Sequence, residues 1–162
     1  MLSGDDIRLA GLLASGQGLF QPNGVDLSVD AVWRLSGPGS LGRSNVDRSL
    51  PDRELLSFDA EGWLHLQHGG YLVRYAETVQ VPQDCGGLCF PRSSLLRMGA
   101  YIPTAVWDAG YVGRGEGWLE VRNPNGLRLQ HGARIVQLVV FRLSAAATAG
   151  YAGAYQERRS GS

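Results

Sequence analysis

Lysine is missing altogether: the 15 basic residues of this 162-residue chain are all arginines. That excludes a Schiff-base lysine, a Walker-type phosphate lysine and any lysine general base. Surplus charge is missing too, because 15 acidic residues cancel the arginines. A balanced chain lacks the basic excess that a nucleic-acid groove or a membrane-binding face requires, so neither partner is expected. No apolar run reaches the length of a membrane span. The start, MLSGDDIRLA, carries acids where a secretory leader has basic residues. Cysteine is limited to Cys85 and Cys89, which points to a cytoplasmic protein with packed, inert thiols, since no histidine lies near them in sequence to lower a thiol pKa. A disulfide stays open should the source be a hyperthermophile. The three histidines, His65, His68 and His131, stand in no H-x-E motif. Zinc-dependent deamination is thereby set aside.

What is present is a chain of short runs separated by Gly, Pro, Asn and Asp. Ser3, as a cap with Asp6 at the third helical position, predicts a short N-terminal helix with Ile7, Ala10 and Ala14 on one face, ending at Gly16 and Gly18. Strands are expected over 25–34, 63–67, 71–81, 117–123 and 134–143. In 63–67, Leu64 and Leu66 oppose Trp63, His65 and Gln67. The polar stretch 36–54 reads as an exposed loop. A second short helix fits 93–98, capped by Ser93 and ended by Gly99. Many short strands with little helix indicate an all-β sandwich or barrel. One domain over 1–143 is expected, followed by a small-residue tail, 144–162, too poor in apolar side chains to hold itself in place.

Three segments ask for more than packing. In Pro91-Arg92-Ser93-Ser94-Leu95-Leu96-Arg97-Met98-Gly99, two hydroxyls, a guanidinium and a helix start come together as an anion site. A plain serine cap is the alternative for that segment. The segment from Ala105-Val106-Trp107-Asp108-Ala109-Gly110-Tyr111 to Asn123 holds Gly110, Gly113, Gly115 and Gly117, which let a backbone approach a ligand closely. Asp108 and Tyr111 at its entrance suit a nucleoside; a glycine-rich turn with a capping Asp is the bland account. In Gly132-Ala133-Arg134-Ile135-Val136-Gln137-Leu138, polar Gln137 interrupts an apolar strand, either for a structural hydrogen bond or for a phosphate contact.

Taken in order, these segments resemble the trimeric dUTPase and dCTP deaminase superfamily. Asn23-Gly24-Val25-Asp26-Leu27 looks like its first motif, PRSSLLRMG its second, AVWDAGYVG its third and GARIVQL its fourth. The resemblance spans about Gln21 to Gln156. It implies a distorted jelly-roll, a homotrimer with active sites between subunits, and Mg²⁺ carried by the nucleotide phosphates, with Asp26 meeting it through water. By the same resemblance Asp108 holds the attacking water, Tyr111 stacks on deoxyribose, and Arg92, Ser93, Ser94 and Gln137 hold the phosphates.

Other features resemble the metal-free deaminases: Arg92-Ser93-Ser94 with Arg97, the pair Thr104-Ala105, Glu120 before Asn123, and the tail Tyr151-Ala152-Gly153-Ala154-Tyr155-Gln156. The glycine-rich fifth motif of ordinary dUTPases is missing as well. Yet the interval from Ala105 to Asp108 is one residue shorter than deaminases use, and the hairpin to Glu120 is two longer. The combination VWDAGYVGRGEG is most similar to archaeal-type dUTPases. Hydrolysis of dUTP to dUMP and pyrophosphate is therefore the expected reaction. Deamination of dCTP, alone or together with hydrolysis, is the runner-up. A non-catalytic nucleotide-binding module is weighed against by the carboxylate of Asp108, which costs affinity beside phosphates and makes sense chiefly as a base.

Overall fold

The computed structural model describes residues 1–14, 19–103 and 105–156. Helix α1 (Gly4–Leu9) opens with a reciprocal cap. Asp6 N–H donates to Ser3 Oγ at 3.1 Å and Ser3 N–H to Asp6 Oδ2 at 3.0 Å. It ends earlier than the sequence predicts. Gly11 takes φ +63°, Gly11 N–H returns to Arg8 O and Leu12 N–H to Ile7 O, the pairing of a left-handed helix stop. Ala10 and Ala14 are consequently exposed, and Leu12 and Ile7 carry the burial instead. The expected stops at Gly16 and Gly18 lie outside the described residues.

The strands are β1 (Leu19–Gln21), β2 (Gly24–Ser36), β3 (Asp52–Leu56), β4 (Trp63–Leu66), β5 (Gly69–Tyr75), β6 (Val79–Gln80), β7 (Cys85–Pro91), β8 (Ala100–Tyr101), β9 (Val106–Trp107), β10 (Val112–Gly113), β11 (Glu116–Val121), β12 (Leu127–Gln130) and β13 (Arg134–Arg142). Helix α2 (Ser93–Arg97) lies between β7 and β8. Among the described residues one curled sheet runs β8-β11-β5-β2-β13-β7-β9, with β1 and β3 also on β2. Two short ribbons, β10-β6 and β12-β4, complete the set. The long strand β2 makes this curl. Its first half pairs with β13 and its second with β5, and the register with β5 slips between Val29 and Ala31. Such a bulge adds a residue and bends the strand, which lets one strand serve both halves of a jelly-roll. Val25, Leu27, Val73, Leu119, Val136 and Leu138 are fully buried within it.

Two expectations are corrected here. The 36–54 stretch is exposed, but its last residues, Asp52 to Glu54, belong to β3 on the edge of β2. Residues 71–81 form two strands, because the chain leaves β5 after Tyr75 and resumes pairing only at β6. Strand β7 lies outside the five ranges expected as strands. Its run Cys85-Gly86-Gly87-Leu88-Cys89 has poor strand propensity, yet it lies between β13 and β9. A Cβ on Gly87 would stand 2.9 Å from Leu138 Cδ1, so the glycine is there to let β13 approach. Cys85 and Cys89 sit on this one extended strand, about 13 Å apart at 3.3 Å per residue, too far for a disulfide. Both are free, and burial pushes the Cys89 thiol up to about 12.

Gly70 on β5 offers a sharp packing test. A Cβ there would overlap the Trp118 ring on the neighbouring strand. Gly70→Ala is expected to destabilise by about 1–3 kcal/mol, read as a lower denaturant midpoint at unchanged slope.

Candidate active site

The candidate side chains fall into three groups, and the fold sets them apart. The first gathers where β1, β2, β7 and β13 meet. Asp26 is 2% exposed, and its Oδ2 accepts from Gln21 Nε2 at 3.0 Å and from Arg134 at 3.1 Å, with Arg92 Nε at 3.4 Å. Two guanidinium groups thus meet one carboxylate, and the surplus positive charge faces outward through half-exposed arginines. Gln137 is the register partner of both Asp26 and Phe90, so its amide shares their face. Arg134 and Gln21 were missed by the sequence reading. The residue pattern hides Arg134 because a register shift in β13 lies between Arg134 and Val136, which overrides simple alternation.

Ser93, Ser94 and Arg97 follow on α2, all exposed. Ser93 is not the cap: Arg92 occupies that position with extended backbone, its N–H donating to Ile135 O at 3.0 Å. The β7–β13 pairing, continued by that Arg92 N–H to Ile135 O bond, holds Arg92 extended until the helix starts. Five helical residues make a weak dipole, so the charge of this corner comes from its arginines.

The second group is built on β9 and the turn after it. Asp108 to Tyr111 form a four-residue turn closed by Tyr111 N–H to Asp108 O at 3.1 Å. Gly110 stands in its third position at φ +79°, where a side chain would be strained. Asp108 is exposed and lines a cavity of about 360 Å³ together with Trp107, Phe141, Gly150 and Tyr151. The Tyr111 ring is held edge-on between Trp107, at 5.3 Å, and Tyr151, at 5.5 Å. The described part of the tail folds onto this turn of its own chain. Tyr151 N–H donates to Ala109 O, while the Gln156 amide accepts from Val112 N–H and donates to Gly110 O. Tyr155 lies farther out, beneath the Arg48 guanidinium at 5.4 Å.

The third group lies on β11. Glu120 accepts from Trp118 Nε1 at 3.0 Å and pairs with Arg122 at 3.0 Å, so both of its oxygens are engaged within the chain. Beside it a cavity of about 230 Å³ is walled by Ala105, Trp107, Gly117 and Trp118. Thr104, the partner of Ala105 in the sequence reading, lies outside the described residues.

Distance separates the first group from the second. Trp107 pairs with Gly87, which places Asp108 beside Gly86, at the far end of β7 from Arg92. Six extended residues span about 20 Å. That backbone span is longer than a triphosphate chain.

The sequence profile of the dCTP deaminase-like family matches residues 3–143. A protein of Aeropyrum pernix named "Probable deoxyuridine 5'-triphosphate nucleotidohydrolase" is 46% identical over 156 residues, 96% of each chain. One of Methanosarcina mazei with the same name is 43% identical over 137 residues, 85% of this chain and 80% of that protein. Among solved structures, the 2'-deoxycytidine 5'-triphosphate deaminase of Agrobacterium tumefaciens superposes with a TM-score of 0.70 at 17% identity. That match covers 90% of this chain, which spans 49% of the length of that one, and it shows the shared fold. The jelly-roll and the ordered motifs agree with these likenesses, and the chain belongs to the dCTP deaminase-like family.

Proposed function

We propose that the protein hydrolyses dUTP to dUMP and pyrophosphate, with Asp108 as the base. The observation that carries this reading is the Asp108–Tyr111 turn, which presents an exposed carboxylate to a cavity and holds the Tyr111 ring against Trp107. The relatives at 46% and 43% identity bear the name of that same activity.

In this mechanism the pyrimidine enters the smaller cavity, against Ala105, Gly117 and Trp118. The deoxyribose packs on Tyr111. Arg92, Ser93, Ser94, Arg97 and Gln137 bind the phosphates, and Asp26 aligns Arg92 by pairing with its guanidinium. Asp108 orients a water in line with the leaving oxygen and takes its proton as the phosphorus–oxygen bond forms. The ~20 Å split along β7 favours a site whose two halves come from neighbouring copies, as in a homotrimer. Exposed Phe90, Leu96 and Met98 flank the arginine corner and offer it apolar contact area. Tyr151, Tyr155 and Gln156 of the tail close the site against water.

Mg²⁺ fits as a companion of the triphosphate. Among the described residues no three His, Cys, Asp or Glu side chains stand together. Asp26, whose Oδ2 already accepts from Gln21 and Arg134, would be the residue to hold such an ion, through water. When bound, the ion neutralises phosphate charge. A free nucleotide as substrate is in keeping with a cytoplasmic setting.

Incubation with Mg²⁺ and either dUTP or dCTP, followed by chromatographic separation of products, tests the reaction. Conversion of dUTP to dUMP with dCTP intact is expected; dCTP turning into a uridine nucleotide would install the deaminase reading. Sugar choice is a separate matter. Tyr111, pressed from both sides, leaves no room beside C2′ for a hydroxyl. Tyr111→Ala is therefore expected to raise the relative rate on UTP by roughly 10–100-fold, on the scale of overpacking penalties of 1–3 kcal/mol. A variant that rejects UTP as strongly as the parent would remove this role.

A further inference from the structure

Asp30 is the extra residue at the bulge of β2, where pairing with β5 slips between Val29 and Ala31. The bulge sets its carboxylate against two arginines. Arg74 of β5 donates through Nε at 3.1 Å and Nη2 at 2.7 Å, and Arg114 through Nη1 at 3.2 Å. These three side chains are 24–31% exposed, screened enough from water for the pairing to hold its geometry. Burial alone would raise the Asp30 carboxyl, but the Arg74 hydrogen bond and the charges of Arg114, Arg74 and His131 keep it below the usual carboxylate range. It is ionised at neutral pH.

Arg114 stands where the chain crosses from β10, on the β6 ribbon, to β11 in the large sheet. Its neighbour Gly115 gives its carbonyl to Tyr75 N–H at 2.9 Å, and a Cβ on Gly115 would run into the Trp107 ring. Trp107 in turn meets Tyr111 edge-on at 5.3 Å. On the other side of the crossing, Arg53 bonds Glu116 at 2.9 Å while lying over Trp33, whose ring also carries the Arg74 guanidinium. Contact is continuous from Asp30 through Arg114, Gly115 and Trp107 to Tyr111.

We infer that Asp30 is a positioning residue: by clamping Arg114 it fixes the glycine-rich crossing at 113–116 and thereby the ring of Tyr111. None of the motifs includes Asp30, and it touches no part of the proposed nucleotide site. Its consequence for dUTP rests on the proposed function; its effect on the crossing does not. Glycines at 113, 115 and 117 leave that backbone few constraints of its own, so an external clamp has leverage there.

The test compares Asp30→Asn, Arg114→Gln and the conservative Asp30→Glu with the parent, and uses Arg34→Gln, at an exposed ion pair with Glu54, as control. Hydrogen–deuterium exchange of the amides at 112–117 is read without nucleotide. It should quicken several-fold in Asp30→Asn and Arg114→Gln, partly recover in Asp30→Glu, and stay at the parent level in the control. In steady state, KM for dUTP should rise about 5–10-fold with kcat within about twofold, and preference for dUTP over UTP should fall in step. Arg114→Gln leaves the Asp30–Arg74 pair intact, so it serves even where Asp30→Asn folds poorly. A lower melting temperature with unchanged exchange at 112–117 and unchanged KM would overturn the inference and leave Asp30 a stabilising residue alone. Faster exchange in a protein whose parent turns over no dUTP would uphold the clamp and defeat the proposed function instead.

Discussion

Asp108→Asn is expected to lower dUTP turnover by about 10²–10⁴-fold while leaving nucleotide binding close to that of the parent. In-line attack on phosphorus needs a water that is oriented and loses its proton as the bond forms. Asparagine matches aspartate in shape but cannot accept that proton. Asp108 is exposed at the end of β9, and the turn behind it is fixed by Gly110, by the Gln156 amide and by the Tyr111 ring. The variant therefore removes a base without disturbing its support. Glu120 is the rival carboxylate, and its setting differs: both oxygens are taken by Trp118 and Arg122. Glu120→Gln should mainly change binding or base preference. Measured kcat and nucleotide affinity for the two variants decide between them. Loss of turnover in Glu120→Gln with Asp108→Asn still active would move the chemistry to the deaminase-like set.

Much of this architecture was legible in the residues. The capped start at Ser3 and Asp6, the long strand from Val25 and the apolar strand through Ile135 and Val140 announce themselves through caps and apolar runs. The Asp108–Tyr111 turn was legible because glycine spacing and turn chemistry are local. What escaped notice depends on partners distant in sequence. The two glycines of strand β7 make sense only beside Leu138 and Phe141. The Arg134–Asp26 contact needs a register shift that alternation cannot foresee, and Asp30 gains its two arginines only through the bulge of β2. The tail is held by other means. Its small residues promise little apolar burial, yet 147–156 are placed by backbone and amide hydrogen bonds to Gln83, Ala109, Gly110 and Val112.

The central claim is that one dUTP is handled by the arginine corner of one copy and the Asp108 turn of another. Mixing two inactive variants tests it most directly. Arg92→Gln should lose phosphate binding and Asp108→Asn should lose the base, so each alone is nearly dead. Refolded together in equal amounts, random assembly pairs an intact Arg92 with an intact Asp108 at about one site in four, if each site draws on two subunits of a symmetric oligomer. The mixture should then recover roughly a quarter of the parent's dUTP hydrolysis. Activity no greater than the sum of the two separate variants would contradict the shared site and the account built on it.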